Sequence, residues 1–226
     1  FSRADPACDA ASLVRDVCRS ARTILQARTD LSALPRHAWP TASFQMARLA
    51  DGGIELAGLG DCVAFALQPD GETTVHSAMP ANRGRESAWA RTLLDATGGL
   101  DANGEIPRQG VVLERMRMAR DRHNTPQGGV WTLGLVEEAA LHLARIRLPA
   151  RDDTSILLMT DGFSALFDAY RKTAPGDAIR AVLSRGLADN LRELRTIERE
   201  EDPSAQRFPR FKRCDDATAI LCRIGR

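Results

Sequence analysis

Residues 155–160, Ser-Ile-Leu-Leu-Met-Thr, narrow the possible folds of this chain more than any other segment. The run is too short for a helix and too continuously apolar for a strand with one wet face. It therefore predicts a strand in the middle of a sheet that is covered on both sides. Asp161-Gly162 follows at once, so the strand delivers a carboxylate onto what reads as a glycine-permitted turn. Two other apolar segments also meet acids, Ile54 to Asp61 before it and Asp215-Asp216 to Ile224 after it. Acids at three strand ends predict a metal site.

The rest of the chain supplies what such a sheet needs. Asp5-Pro6 predicts a helix opening, an acceptor followed by a proline whose missing N–H costs nothing there. Leu13, Val14, Val17, Cys18, Ala21, Ile24 and Leu25 then recur at helical spacing and predict one buried stripe ending near Ala27. Strands are predicted from Ala42 to Met46, Ile54 to Gly60, Cys62 to Leu67 and Glu72 to Ser77. Asp51-Gly52-Gly53 and Pro69-Asp70-Gly71 are the turns between them, giving an antiparallel meander. Helices are expected over Glu86–Ala96 and Val111–Arg122, with two or three more between Gly162 and a closing strand, Ala217–Ile224. Hairpins rather than alternating strands and helices argue for an α+β fold.

Composition excludes several functions. A chain of 226 residues with 43% hydrophobic content can bury one substantial core, so a single domain over residues 1–226 is expected. Basic residues number 31 and acidic ones 30, and no global field favours nucleic acid or an anionic membrane. No apolar run approaches the roughly 20 residues that cross a bilayer. Five cysteines, at 8, 18, 62, 214 and 222, lack zinc or redox spacing and fit a reducing, cytoplasmic setting.

Gathered carboxylates repel one another, and a cation or a proton must relieve them. Oxygen-only ligation suits magnesium or manganese, ions that bind phosphate oxygens and acidify water. Each aspartate alone is more cheaply explained as a turn former. Three in register with three strand ends are harder to explain that way.

In those motifs the chain resembles the metal-dependent protein phosphatases of type 2C, the PPM-type serine/threonine phosphatases, in their bacterial form. Gly60-Asp61, Leu157-Leu-Met-Thr-Asp161-Gly162 and Asp215-Asp216-Ala217-Thr218 match the family's three short motifs in order and spacing, from about Thr41 onward. The resemblance implies two packed antiparallel sheets flanked by helices. It implies Asp161 and Asp215 as ligands of one metal of a binuclear pair. Asp61 would stand beside Asp161 and hold a third ion or its waters, while Asp216 and Gly162 would lie behind the ligands. It further implies two or three magnesium or manganese ions, a phosphorylated protein as partner, and hydrolysis of phosphoserine or phosphothreonine by a metal-bound hydroxide. The family's bridging aspartate comes from N-terminal strands, for which nothing before Asp5 serves. The chain is therefore expected to lack those strands, and the alternative is a catalytically inactive regulatory module of the same fold.

His37, His76, His123 and His142 show no ligand spacing and receive no role. Cys62 and Cys214 adjoin two candidate ligands, so oxidation is expected to disturb the site. The basic run Arg207-Phe-Pro-Arg-Phe-Lys-Arg213 reads first as a solvated loop with two tucked phenylalanines, and second as a docking segment for a phosphorylated partner. No nucleic-acid partner is expected.

Overall fold

A computed structural model of the chain describes residues 9–80 and 82–225, and of Asn82 and Arg83 the main chain only. Asp5 and Pro6, expected to open the first helix, lie outside the described residues. Within them α1 (Ala10–Gln26) begins at Asp9, whose Oδ1 accepts the Ala11 N–H at 2.9 Å as an N-cap. Its buried stripe is shorter than expected: Val14 and Cys18 are enclosed, whereas Ile24 is 58% exposed.

β1 (Phe44–Ala50) and β2 (Gly53–Leu59) form a hairpin across Asp51-Gly52, where φ is +48° and +73°. Two successive positive φ values make the turn whose twist matches that of the strands. β3 (Val63–Leu67) and β4 (Thr73–Ser77) form a second hairpin. Next come α2 (Asn82–Thr97), α3 (Gly110–Asp121), β5 (Ala144–Pro149) and β6 (Ser155–Met159). The chain continues through α4 (Asp161–Ala165), a wide turn to Tyr170, α5 (Pro175–Thr196), kinked at Gly186, and β7 (Ala219–Arg223).

The expected single meander is corrected by the pairing. β1, β2 and β5 make one antiparallel sheet and β4, β3, β6 and β7 another, so the chain changes sheets between β2 and β3. The sheets stack face to face. Ile54 and Leu56 of β2 meet Ala64 and Ala66 of β3 and Ile156 of β6 between them. On the outer faces α1 packs Val14 and Cys18 against Leu59 and Trp131, and α5 packs Ile179, Val182 and Leu194 against Phe65, Leu157 and Met159. The fold is thus α+β, two antiparallel sheets flanked by helices.

β6 is central in its sheet, and its neighbours explain its apolar run. Ile156 faces the other sheet and Leu157 faces α5, both fully buried. Burial of each contributes about 1.5–3 kcal/mol. Glu55 on β2 is enclosed as well: it is 1% exposed and accepts from Arg48 Nε at 2.6 Å and Arg145 Nη2 at 2.5 Å. None of the described helices is long and apolar enough to cross a membrane.

Candidate metal centre

The first acidic element is the sheet crossover. Gly60 follows β2, and its φ of +73° turns the chain while its N–H donates to the Trp131 carbonyl at 2.8 Å. Asp61 follows, half-buried. The Ser43 hydroxyl donates to its Oδ1, and the Asp61 N–H returns to Ser43 Oγ at 3.3 Å. The carboxylate is thereby oriented before any ligand arrives.

The second is the exit of β6. Thr160 N–H donates to the Thr218 carbonyl at 3.0 Å, and Thr218 N–H donates to Thr160 Oγ1 at 3.0 Å. These two bonds pin the exit of β6 beside the entrance to β7. Asp161 is then the first residue of α4, which corrects the expected glycine turn. Gly162 is helical, and its missing side chain makes room instead for the main chain at Asp216.

The third was not foreseen in the sequence. Glu86, on the first half of α2, brings its carboxylate to those of Asp61 and Asp161, with oxygens of all three within 4.8 Å of one another. Helical periodicity marks Glu86 only as a polar-face residue, and no local motif sets it apart.

Asp215 stands beside this trio rather than within it. Its Oδ1 accepts from Lys212 Nζ at 2.8 Å and from the Asp216 N–H at 2.8 Å, and its carbonyl accepts from Arg195 Nη2 at 2.7 Å. It nevertheless lines a small pocket of 120 Å³ together with Glu86, Asp161 and Lys212. Asp216 is exposed, and its carbonyl rather than its carboxylate lies toward Gly162.

The acids sit where three depressions meet. Glu86 borders all of them. A cleft of 610 Å³ runs from Asp61, Glu86 and Asp161 over Val63, Phe65 and Val75. A second of 490 Å³ runs from Asp61 and Glu86 past Trp89, Arg85, Arg122 and His123, and the 120 Å³ pocket leads to Asp215. Burial and the Arg120 charge lower the pKa of His123, against an opposing pull from Asp61, so its imidazole is neutral at pH 7. His76 is a buried hydrogen-bonded residue, with its Nε2 at 3.1 Å from the Ala144 carbonyl.

The donor set fits a hard divalent cation. Three carboxylates from three elements converge, no nitrogen or sulfur ligand joins them among the described residues, and like charges this close attract a counter-ion. The thiol of Cys62 is no competitor. Burial, then the Asp61 and Asp161 charges, push it up to about 12.

No family model matches the sequence, and no curated protein matches it. Solved structures to which the chain is similar include serine/threonine phosphatases. The Mycobacterium tuberculosis serine/threonine phosphatase PstP/Ppp is 18% identical, with 92% of this chain and 68% of that one covered at a TM-score of 0.45. A catalytic domain of PstP in complex with two manganese ions is 16% identical, with 96% and 70% covered at 0.45. The phosphatase domain of the Bacillus subtilis cell-fate determinant SpoIIE is 13% identical, with 99% and 78% covered at 0.36.

Proposed function

We propose that the chain is a single metal-dependent phosphatase domain that hydrolyses phosphoserine or phosphothreonine in a protein. The observation that carries this reading is the meeting of Asp61, Glu86 and Asp161 at the junction of three clefts. A bound magnesium or manganese ion would polarise phosphoryl oxygens and acidify a water. Asp61, Glu86 and Asp161 would hold one ion, and Asp161 with Asp215 is the pair that would share a second. Ser43 fixes the Asp61 carboxylate, and Thr160 with Thr218 fixes the main chain beside Asp161. The apolar floor of the larger cleft, Val63, Phe65 and Val75, suits the side chains flanking a phosphorylated residue. The setting proposed is cytoplasmic, and Cys18, Cys62, Cys214 and Cys222 are free thiols in keeping with it.

One observation favours a second reading, a non-catalytic regulatory module. Asp215 already has a counter-charge in Lys212, which competes with a cation for it. Hydrolysis of an aryl phosphate with and without manganese, on the wild type and on Asp161→Asn, separates the two. Manganese-dependent turnover lost in Asp161→Asn supports the phosphatase. Folded protein that binds manganese without turnover supports the regulatory module.

A further inference from the structure

The fold absorbs two cations of the 207–213 stretch. Arg210 pairs with Asp202 at 2.7 Å, and the Arg207 guanidinium lies over the Phe208 ring, 4.8 Å from its centroid. Lys212 and Arg213 instead line a separate open pocket of 420 Å³ with Arg199, the 103–105 turn and Cys214. Its wall is braced. Arg213 N–H donates to the Gly104 carbonyl at 2.6 Å, Glu105 bridges Lys212 in antiparallel fashion, and Arg213 Nε reaches the Pro203 carbonyl at 3.2 Å.

The charge around this pocket is one-sided. Among the described residues Arg199 and Arg213 have no carboxylate partner, and the one acid on the rim, Glu105, pairs with Arg108 at 3.1 Å. The chain as a whole balances 31 basic against 30 acidic residues, so a local surplus of cations around a concavity is a feature of this pocket. Guanidinium groups present paired N–H donors that match the oxygens of a phosphoryl group.

We propose that this pocket is a phosphoryl-anion subsite, formed by Arg199, Lys212 and Arg213, and that Lys212 is shared between it and Asp215. Lys212 lines both the 420 Å³ pocket and the 120 Å³ pocket that contains Asp161, Glu86 and Asp215. Its ammonium now sits 2.8 Å from Asp215 Oδ1. A phosphoryl group in the subsite competes for that ammonium and leaves Asp215 free to turn toward Asp161. Anion and cation binding are then positively coupled, each favouring the other by the same factor. The subsite stands independently of the proposed phosphatase activity; its coupling to Asp215 rests on the metal reading.

The test is calorimetric titration of inorganic phosphate into the full chain in EDTA, so that no cation contributes. A second arm titrates a phosphoserine peptide, and tighter binding of one probe identifies the source of the phosphoryl group. Wild type should bind saturably. Arg199→Ala, which removes a side chain with no carboxylate contact to lose, and Arg199→Ala/Arg213→Ala should each weaken binding by about tenfold or more. Arg85→Ala/Arg122→Ala, in the other cleft, should bind like wild type. Binding unchanged in the Arg199 and Arg213 variants, or no saturable binding by wild type, overturns the subsite. For the coupling, manganese affinity is read by electron paramagnetic resonance. Lys212→Ala should bind manganese more tightly than wild type, and equal or weaker binding overturns the shared role of Lys212.

Discussion

The carbonyl oxygen of Asp216 occupies the space that a side chain on Gly162 would need: a Cβ placed there would lie 2.2 Å from it. The exit of β6 and the approach to β7 are therefore packed main chain against main chain. Gly162→Ala should cost about 1–3 kcal/mol, as overpacking does, measured by urea denaturation. It should also weaken manganese binding, because Asp161 adjoins the displaced segment. A stability equal to wild type would mean that the two segments can separate freely.

Cation binding should be visible as stability. At a concentration of manganese about 100 times the dissociation constant, wild type should gain about 2.7 kcal/mol. Glu86→Gln and Asp161→Asn should lose most of that gain in thermal melts while remaining folded without metal. Melting curves of Glu86→Gln that respond to manganese as wild type does would remove Glu86 from the ligand set.

Asp202 anchors the loop before β7 and gives acid stability a specific source. It is 4% exposed and accepts from the N–H groups of Gln206, Arg207 and Phe208 and from Arg210 Nη1. Burial pushes its pKa up, but the Arg207 N–H, the Arg210 guanidinium and the Phe208 N–H outweigh burial and hold it below the usual aspartate value. The contribution is present above the unfolded value of about 3.9 and is lost as pH falls through the lower folded one. Asp202→Ala should cost about 3–5 kcal/mol at pH 7, since it leaves Arg210 buried without its partner. Its stability should also fall less steeply below pH about 4 than that of wild type, with Glu55 keeping part of the slope.

The expected sensitivity of Cys62 to oxidation is not what its surroundings favour. It is 8% exposed with a pKa near 12, so little thiolate forms at neutral pH. In a disulfide-exchange assay at pH 8, Cys62→Ser should react at the wild-type rate. Removal of Cys214, which is half-buried at the rim of the phosphoryl pocket, should slow the reaction.

What could be read from the sequence divides along physical lines. The burial of β6 was legible because a continuous apolar run has one explanation at that length, and Asp51-Gly52 because a two-residue turn needs positive φ at both positions. The change of sheet at Gly60-Asp61 was not legible. A short acidic break between strands looks like a hairpin, and what decides the pairing is distant: β5 for β2, and β6 for β3. The strand-end aspartates stood out by position, and the structure places Asp61 and Asp161 together with Asp215 nearby. Glu86 had no such mark, since a helix carries many exposed acids and only the docking of α2 selects one. Gly162 reads in the sequence as a turn residue, whereas the structure uses it as a gap for the main chain at Asp216.

The crossover from β2 to β3 also has a mechanical meaning. Asp61 hangs on the link between the two sheets, Asp161 opens α4 just after β6 of the second sheet, and Glu86 rides on α2. An ion held by all three adds a fastening to parts that otherwise meet through side-chain packing and a few hydrogen bonds, such as that of His76 with the Ala144 carbonyl. Sliding of one sheet over the other would stretch that fastening, so occupancy of the centre and shear stiffness of the sandwich should rise and fall together.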